Sequence, residues 1–156
     1  MNCKSLLVAV GVALLASGSL QLKADDAQTA RDKKFAETLS GVTLVGFHTD
    51  STKPAGKLTE ERYVISSVSK LKDDYWLFKA RIKYGEHDVT VPLSLQVKWA
   101  GDTPVITLTD LDIPLLGKFS ARVVIYDGAY AGTWSGAKHG GHLFGKIEKE
   151  KREEKQ

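Results

Sequence analysis

From Gly41 to the charged end of the chain, apolar residues recur at every second position, and this alternation limits the fold more than any other feature. A period of two puts successive side chains on opposite faces of a strand, one face buried and the other wet. The stretch "YWLFKARIKYG" is the clearest case. Trp76, Phe78, Ala80, Ile82 and Tyr84 share one face, and Lys79, Arg81 and Lys83 occupy the other. "VTVPLSLQVKW" repeats the pattern, with Val89, Val91, Leu93, Leu95, Val97 and Trp99 opposite Thr90, Ser94, Gln96 and Lys98. Pro92 falls on the polar face and, having no N–H, predicts a bulge or a locally unpaired position.

Six more segments read as strands: "VTLVGFHTDS", "RYVISSVSKL", "VITLTDLDI", "GKFSARVVIY", "AYAGTWSG" and "HLFGKIE". In the first, Val42 and Leu44 oppose Val45 and Phe47; in the second, Tyr63, Ile65 and Ser67 oppose Val64, Ser66 and Val68. "TKPAGKLTE" is a loop, while Asp73-Asp74, "GEHD", "AGDTP", "PLLG" and Asp127-Gly128 are short turns. Short connections between consecutive strands make neighbours antiparallel. The expectation is an all-β domain over residues 41–148, an eight-stranded antiparallel up-and-down barrel that closes on itself and removes its edges. A two-sheet β-sandwich satisfies the same alternation and stands as the alternative.

The first 24 residues have the layout of a secretory signal peptide: Lys4, an apolar run from Leu6 to Ala16, then small and polar residues up to Ala24. Cleavage is expected after Ala24, with Ser19 as the second choice. The apolar run falls short of the roughly 20 residues of a membrane span. Cleavage leaves 132 of the 156 residues, one domain, and lowers the net charge from +3 to +1 because Lys4 and Lys23 depart. No clustered basic face remains, so nucleic acid is not an expected partner. The single cysteine, Cys3, precedes the apolar run and leaves with it, so the mature chain has neither disulfides nor thiolate ligands. Residues 25–40 read as a short helix or leader, with acids at the front and Lys33 and Lys34 behind. Residues 149–156 form a charged tail of alternating sign.

Chemistry-bearing candidates are few. Tyr63, Trp76, Phe78, Tyr84, Trp99 and Trp134 fall mostly on inward faces and would line an open barrel or fill a closed one. His139 and His142, separated by Gly140 and Gly141, converge only if they sit in a loop; barrel closure would bring His48 on the first strand towards His142, a possible metal set. Gly136, Gly140, Gly141 and Gly145 do not precede a helix, as a phosphate cradle requires, and fit turns and close backbone approach. Ser135 in "GTWSG" lacks the strand-to-helix turn of a nucleophile elbow. Asp110 and Asp112 share a face and suit either acid–base work or a solvated edge, and Glu86, His87 and Asp88 suit a turn.

A leading helix, a glycine-containing first strand ("SGVTLVGF") and a meander that ends with Gly132-Thr133-Trp134 on its penultimate strand together resemble the calycin group of lipocalins, fatty-acid-binding proteins and avidins. The likeness spans the mature chain at the level of topology; where lipocalins carry Gly-x-Trp, the first strand has Gly46-Phe47-His48. The blocks "YGEHDVTVPL", "WAGDTPVITLTD" and "YAGTWSG…HGGHLFGKI" are similar to small uncharacterised exported bacterial proteins. The leader, the strand count, the inward aromatic faces and the lack of a catalytic set lead to the expectation of a secreted or periplasmic, non-enzymatic, calycin-like protein holding a small, mostly apolar ligand, with no cofactor; the second resemblance implies no activity. A filled-core structural or protein-interaction domain and a histidine metal-binding protein are the other readings.

Overall fold

The computed structural model describes residues 13–84, 87–114 and 116–149, with side chains given from residue 24 onward except at Tyr84 and His87. The leader segment through residue 12 with Lys4 and Cys3, the turn residues Gly85 and Glu86, and the tail beyond Lys149 lie outside the described residues. The elements are α1 (Ala13–Leu39), β1 (Val42–His48), β2 (Thr59–Lys72), β3 (Tyr75–Tyr84), β4 (His87–Ala100), β5 (Thr103–Ile113), β6 (Gly117–Tyr126), β7 (Ala129–Ser135) and β8 (Gly140–Lys149). Strands pair in sequence order, every pair is antiparallel, and β1 pairs with β8 over seven residue pairs from Val42↔Lys149 to His48↔Leu143. The ring is closed: a barrel, not a sandwich.

The chain falls into two compact units, Met1–Lys34 and Phe35–Gln156. Within the described residues the first is the helical run of α1, which begins at Ala13, upstream of the start expected at residue 25. Its alanines and leucines are strong helix formers, and no proline interrupts them. Among the described residues, no helix is long and apolar enough to cross a membrane. The second unit takes the last turn of α1 together with the barrel. That turn ends at Ser40 and Gly41, the latter at φ +65, a left-handed conformation that costs glycine little.

Four connections lie at one end of the barrel: the β1–β2 loop and the β3–β4, β5–β6 and β7–β8 links. The other end receives the chain from α1 and is closed by an aromatic plug. The Phe35 ring stands edge-on to Trp76 at 4.8 Å, to Trp99 at 5.6 Å and to Phe78 at 6.2 Å between centroids. Leu39 and Val97 are fully buried beneath it. Edge-to-face contacts of this kind add to the burial of large apolar surface.

Two bulges alter the alternation. In β2 the register shifts between Ile65 and Ser67, so Ile65 and Val68 both face inward, whereas strict alternation would separate Ile65 from Val68. Ser66 spans the interruption by donating its hydroxyl to the Lys79 carbonyl at 2.9 Å, and Ser40 Oγ accepts the Val68 N–H at 2.9 Å. In β5 the shift lies between Leu108 and Leu111; Asp110 takes φ +49 there and, with Asp112, is exposed, so the two acids form a solvated edge.

Pro92 pairs with Lys79, whose carbonyl is used on the β2 side. Backbone groups of one strand residue point the same way, so Pro92 directs its imide nitrogen away from β3 towards β5. There β4 and β5 pair over only five positions, from Gln96↔Thr107 to Ala100↔Thr103, leaving the Pro92 region beyond the ladder. The locally unpaired position expected of this proline is what the strand pairing has, and no ladder bond is lost to it.

Truncating the plug is expected to cost far more than truncating an outer phenylalanine. Phe35→Ala should lower unfolding free energy by about 3 kcal/mol. Phe47→Ala, at a site 38% exposed, should cost less than about 1 kcal/mol. Urea denaturation of the two variants reads the difference.

Candidate functional site

One row of residues across the sheet builds the site. The register aligns Tyr130 on β7 with Gly145 on β8, Gly145 with Gly46 on β1, and Gly46 with Glu61 on β2. All four positions face the barrel interior. Adjacent strands are about 4.8 Å apart, so the ends of this row are separated by three strand spacings along the curved wall. The two glycines leave their strands bare, and the Tyr130 side chain lies across them. A Cβ on Gly46 would stand 2.6 Å from the Tyr130 hydroxyl and 2.1 Å from the Phe144 carbonyl oxygen; one on Gly145 would stand 2.7 Å from Tyr130 Cε1. Across that gap the Tyr130 hydroxyl donates to Glu61 Oε1 at 2.9 Å.

Glu61 is 4% exposed, a buried acid at the centre of a polar cluster. Tyr63, two positions along the same face of β2, donates its hydroxyl to Oε2 at 2.8 Å. His48, the last residue of β1 and 2% exposed, places Nδ1 3.3 Å from the same oxygen. Burial pushes the Glu61 carboxyl above its ordinary range, and the two tyrosine hydroxyls pull it partly back. Burial also holds the His48 imidazole below its ordinary value; Lys53 and His139 act in the same direction and Asp50 against them. The Tyr130 phenol is raised by burial and by the neighbouring carboxyl. The result is a neutral phenol pair gripping an acid that the interior disfavours as an ion.

Beside this cluster is a cavity of about 180 Å³ inside the barrel. Its wall is aliphatic and aromatic, drawn from all eight strands and including Leu44, Ile65, Leu93, Ile106, Val123 and Leu143, with Glu61, Tyr63, Tyr130 and His48 at one side. Of the six aromatic residues singled out, Tyr63, Phe78 and Trp134 line it. Trp76 and Trp99 do not: they belong to the Phe35 plug at the closed end. Alternation sets the face of a residue but not its height along the barrel axis, and these two tryptophans sit at the ends of β3 and β4 nearest α1. Tyr84 ends β3, and its side chain lies outside the described residues.

The three histidines do not assemble. His142 precedes the inward Leu143 on β8 and its side chain therefore points outward; its backbone N–H donates to Thr49 Oγ1 at 2.9 Å. His48 and His139 lie edge-on to Trp134, at 5.8 and 5.1 Å between centroids. The Trp134 indole also donates to the Thr49 carbonyl at 3.1 Å, which fixes it in place. Among the described residues there is no group of three or more His, Cys, Asp or Glu that could hold a metal ion. Ser135 is exposed on β7, alternating with the inward Trp134.

Sequence reasoning missed Glu61 and Tyr130. The signal for Glu61 was its parity: it lies two residues before Tyr63 and four before Ile65 on one face of a strand. Tyr130 likewise shares the face of Trp134.

Comparison with protein-family models, curated proteins and solved structures finds no match.

The glycine row should tolerate no side chain. Gly46→Ala, which would place a methyl against backbone, is expected to lose at least about 2 kcal/mol of stability in chemical denaturation. Glu61 supplies a pH test. Because its folded-state pKa is raised, its favourable contribution is present below the ordinary glutamate value and is lost as pH rises through the raised value. His48, lowered, contributes above its ordinary value and loses that contribution as pH falls through the lowered one. The melting temperature of Glu61→Gln minus that of the parent should therefore climb with pH from about pH 4.5 upward; a flat difference would mean that Glu61 ionises like a surface carboxylate.

Proposed function

We propose that the protein is an exported, non-enzymatic binding protein of calycin-like type that takes a small, mostly apolar molecule into the barrel. The carrying observation is the apolar cavity of about 180 Å³ with hydrogen-bonding groups gathered at one side of its wall. Ligand sites commonly combine such a wall with a few placed polar groups that orient the guest. The volume also bounds the guest. An apolar protein cavity of roughly 150 Å³ takes up benzene, so this one suits a single ring with a short substituent and not an extended fatty acyl chain or retinoid.

The polar groups favour holding over catalysis. Both Glu61 oxygens accept bonds from tyrosine hydroxyls that anchor them, and among the described residues that line the cavity the one hydroxyl besides the tyrosines, on Ser120, is engaged with Asp110. An open interior supports this reading over a filled-core interaction domain. Export rests on the leader pattern around Leu6 to Ala16.

Calorimetric titration with benzyl alcohol tests the reading. A single saturable site that raises the melting temperature is expected, and Ala121→Leu, which adds bulk to the cavity wall, should weaken it about tenfold or more. Absence of saturable uptake by the parent protein would refute it.

A further inference from the structure

The cavity wall carries an acid and no strong base. Among the described residues of the wall, Glu61 and His48 are the ionisable groups besides the phenols of Tyr63 and Tyr130, and no lysine or arginine contributes; the Trp134 indole is engaged by the Thr49 carbonyl and the Ser120 hydroxyl by Asp110. Lys53, the cation that acts on His48, donates instead to Thr59 Oγ1 at 3.2 Å. The Glu61 carboxyl is placed for accepting: each oxygen already receives one phenol hydroxyl, and carboxylate oxygens have lone pairs for more than one donor each. A guest carboxylate brought into this space meets a second acid and no counter-ion, which is unfavourable in a desolvated site. A guest ammonium meets a carboxyl that has two phenols and the His48 imidazole beside it but no lysine or arginine. It also gains charge-assisted hydrogen bonds, which are stronger than neutral ones.

We infer that the cavity selects a small organic amine, a cationic head held at Glu61 with a ring-sized apolar body in the barrel, and rejects carboxylates of the same shape. The inference rests on the binding reading above and sharpens it: that reading needs only a guest of suitable size, whereas this one fixes the sign of its head group. It separates the protein from carriers of fatty acids, whose guests have the opposite charge. The site uses a buried acid raised by its surroundings, so pairing with a cation also relieves the cost of keeping Glu61 ionised within the wall.

Three compounds of one shape test it: benzylamine, benzyl alcohol and benzoate, titrated calorimetrically into the full mature protein at about pH 8, well above the ordinary glutamate value. Benzylamine should bind at least about tenfold more tightly than benzyl alcohol, and benzoate more weakly than both. Glu61→Gln should erase the advantage of the amine over benzyl alcohol. If that variant does not fold, the pH profile decides, measured in the parent and in His48→Gln, which has no imidazole to charge. Facing Glu61 are His48 from β1, Tyr63 from β2 and Tyr130 from β7; with His48 replaced, Glu61 is the one member of this cluster that titrates in the acid range. The amine preference should collapse on acidification in both proteins. Benzyl alcohol or benzoate binding as tightly as benzylamine, or an amine preference indifferent to Glu61→Gln and to acid, overturns the inference and leaves the binding reading standing. Failure of all three compounds to bind overturns both.

Discussion

The ladder between β1 and β8 turns a meander into a ring, and the remaining features depend on that closure. Seven residue pairs hold it, with Gly46 facing Gly145 one pair past its middle. Without this pairing, Tyr130 on β7 and Glu61 on β2 would lie near opposite margins of an open sheet. With it, they are three strands apart across a curved wall, and two bare glycines let the phenol reach the acid. Closure also defines an inside, so that a carboxyl can be buried against tyrosines and an imidazole instead of being hydrated.

The barrel is divided along its axis by side-chain size. At the end nearest α1, Phe35, Trp76 and Trp99 interlock and leave no room. Towards the other end the inward residues are mostly leucine, isoleucine, valine and alanine, and space remains. One fold thus contains both a packed core and a chamber. The packed part holds the strands in register, and the chamber inherits a rigid wall from it. The glycine row serves the chamber at the expense of wall thickness, since it replaces two inward side chains with one long phenol laid across them.

Much of this was legible in the chain. Alternation gives eight strands, short turns give their antiparallel order, and parity places Phe78, Leu93 and Trp134 inside, as observed. Parity fails at the bulges after Ile65 and Leu108, because an extra residue rotates everything beyond it. It also carries no information about depth, which is why Trp76 and Trp99 share a face with Phe78 yet line no cavity. Glu61 went unseen because an acid beside the loop "TKPAGKLTE" reads as solvated, and only the long-range partners Tyr130 and His48 make its burial tolerable. Sixty-nine positions separate Glu61 from Tyr130, and no local pattern links them. His142 does not join His48 because it stands on β8 beside Leu143, which claims the interior.

The short β4–β5 ladder has a consequence for how molecules of this protein behave towards one another. Strand backbone left beyond a ladder is a row of donors and acceptors open to a passing strand, the usual starting point of sheet-to-sheet aggregation. Pro92 sits in that row with its imide nitrogen turned towards the gap, so a visiting strand finds a missing donor and a ring where it needs a flat edge. The proline that costs the barrel nothing internally thus acts as a guard on its weakest seam, one whose loss would be felt in solubility before it was felt in folding.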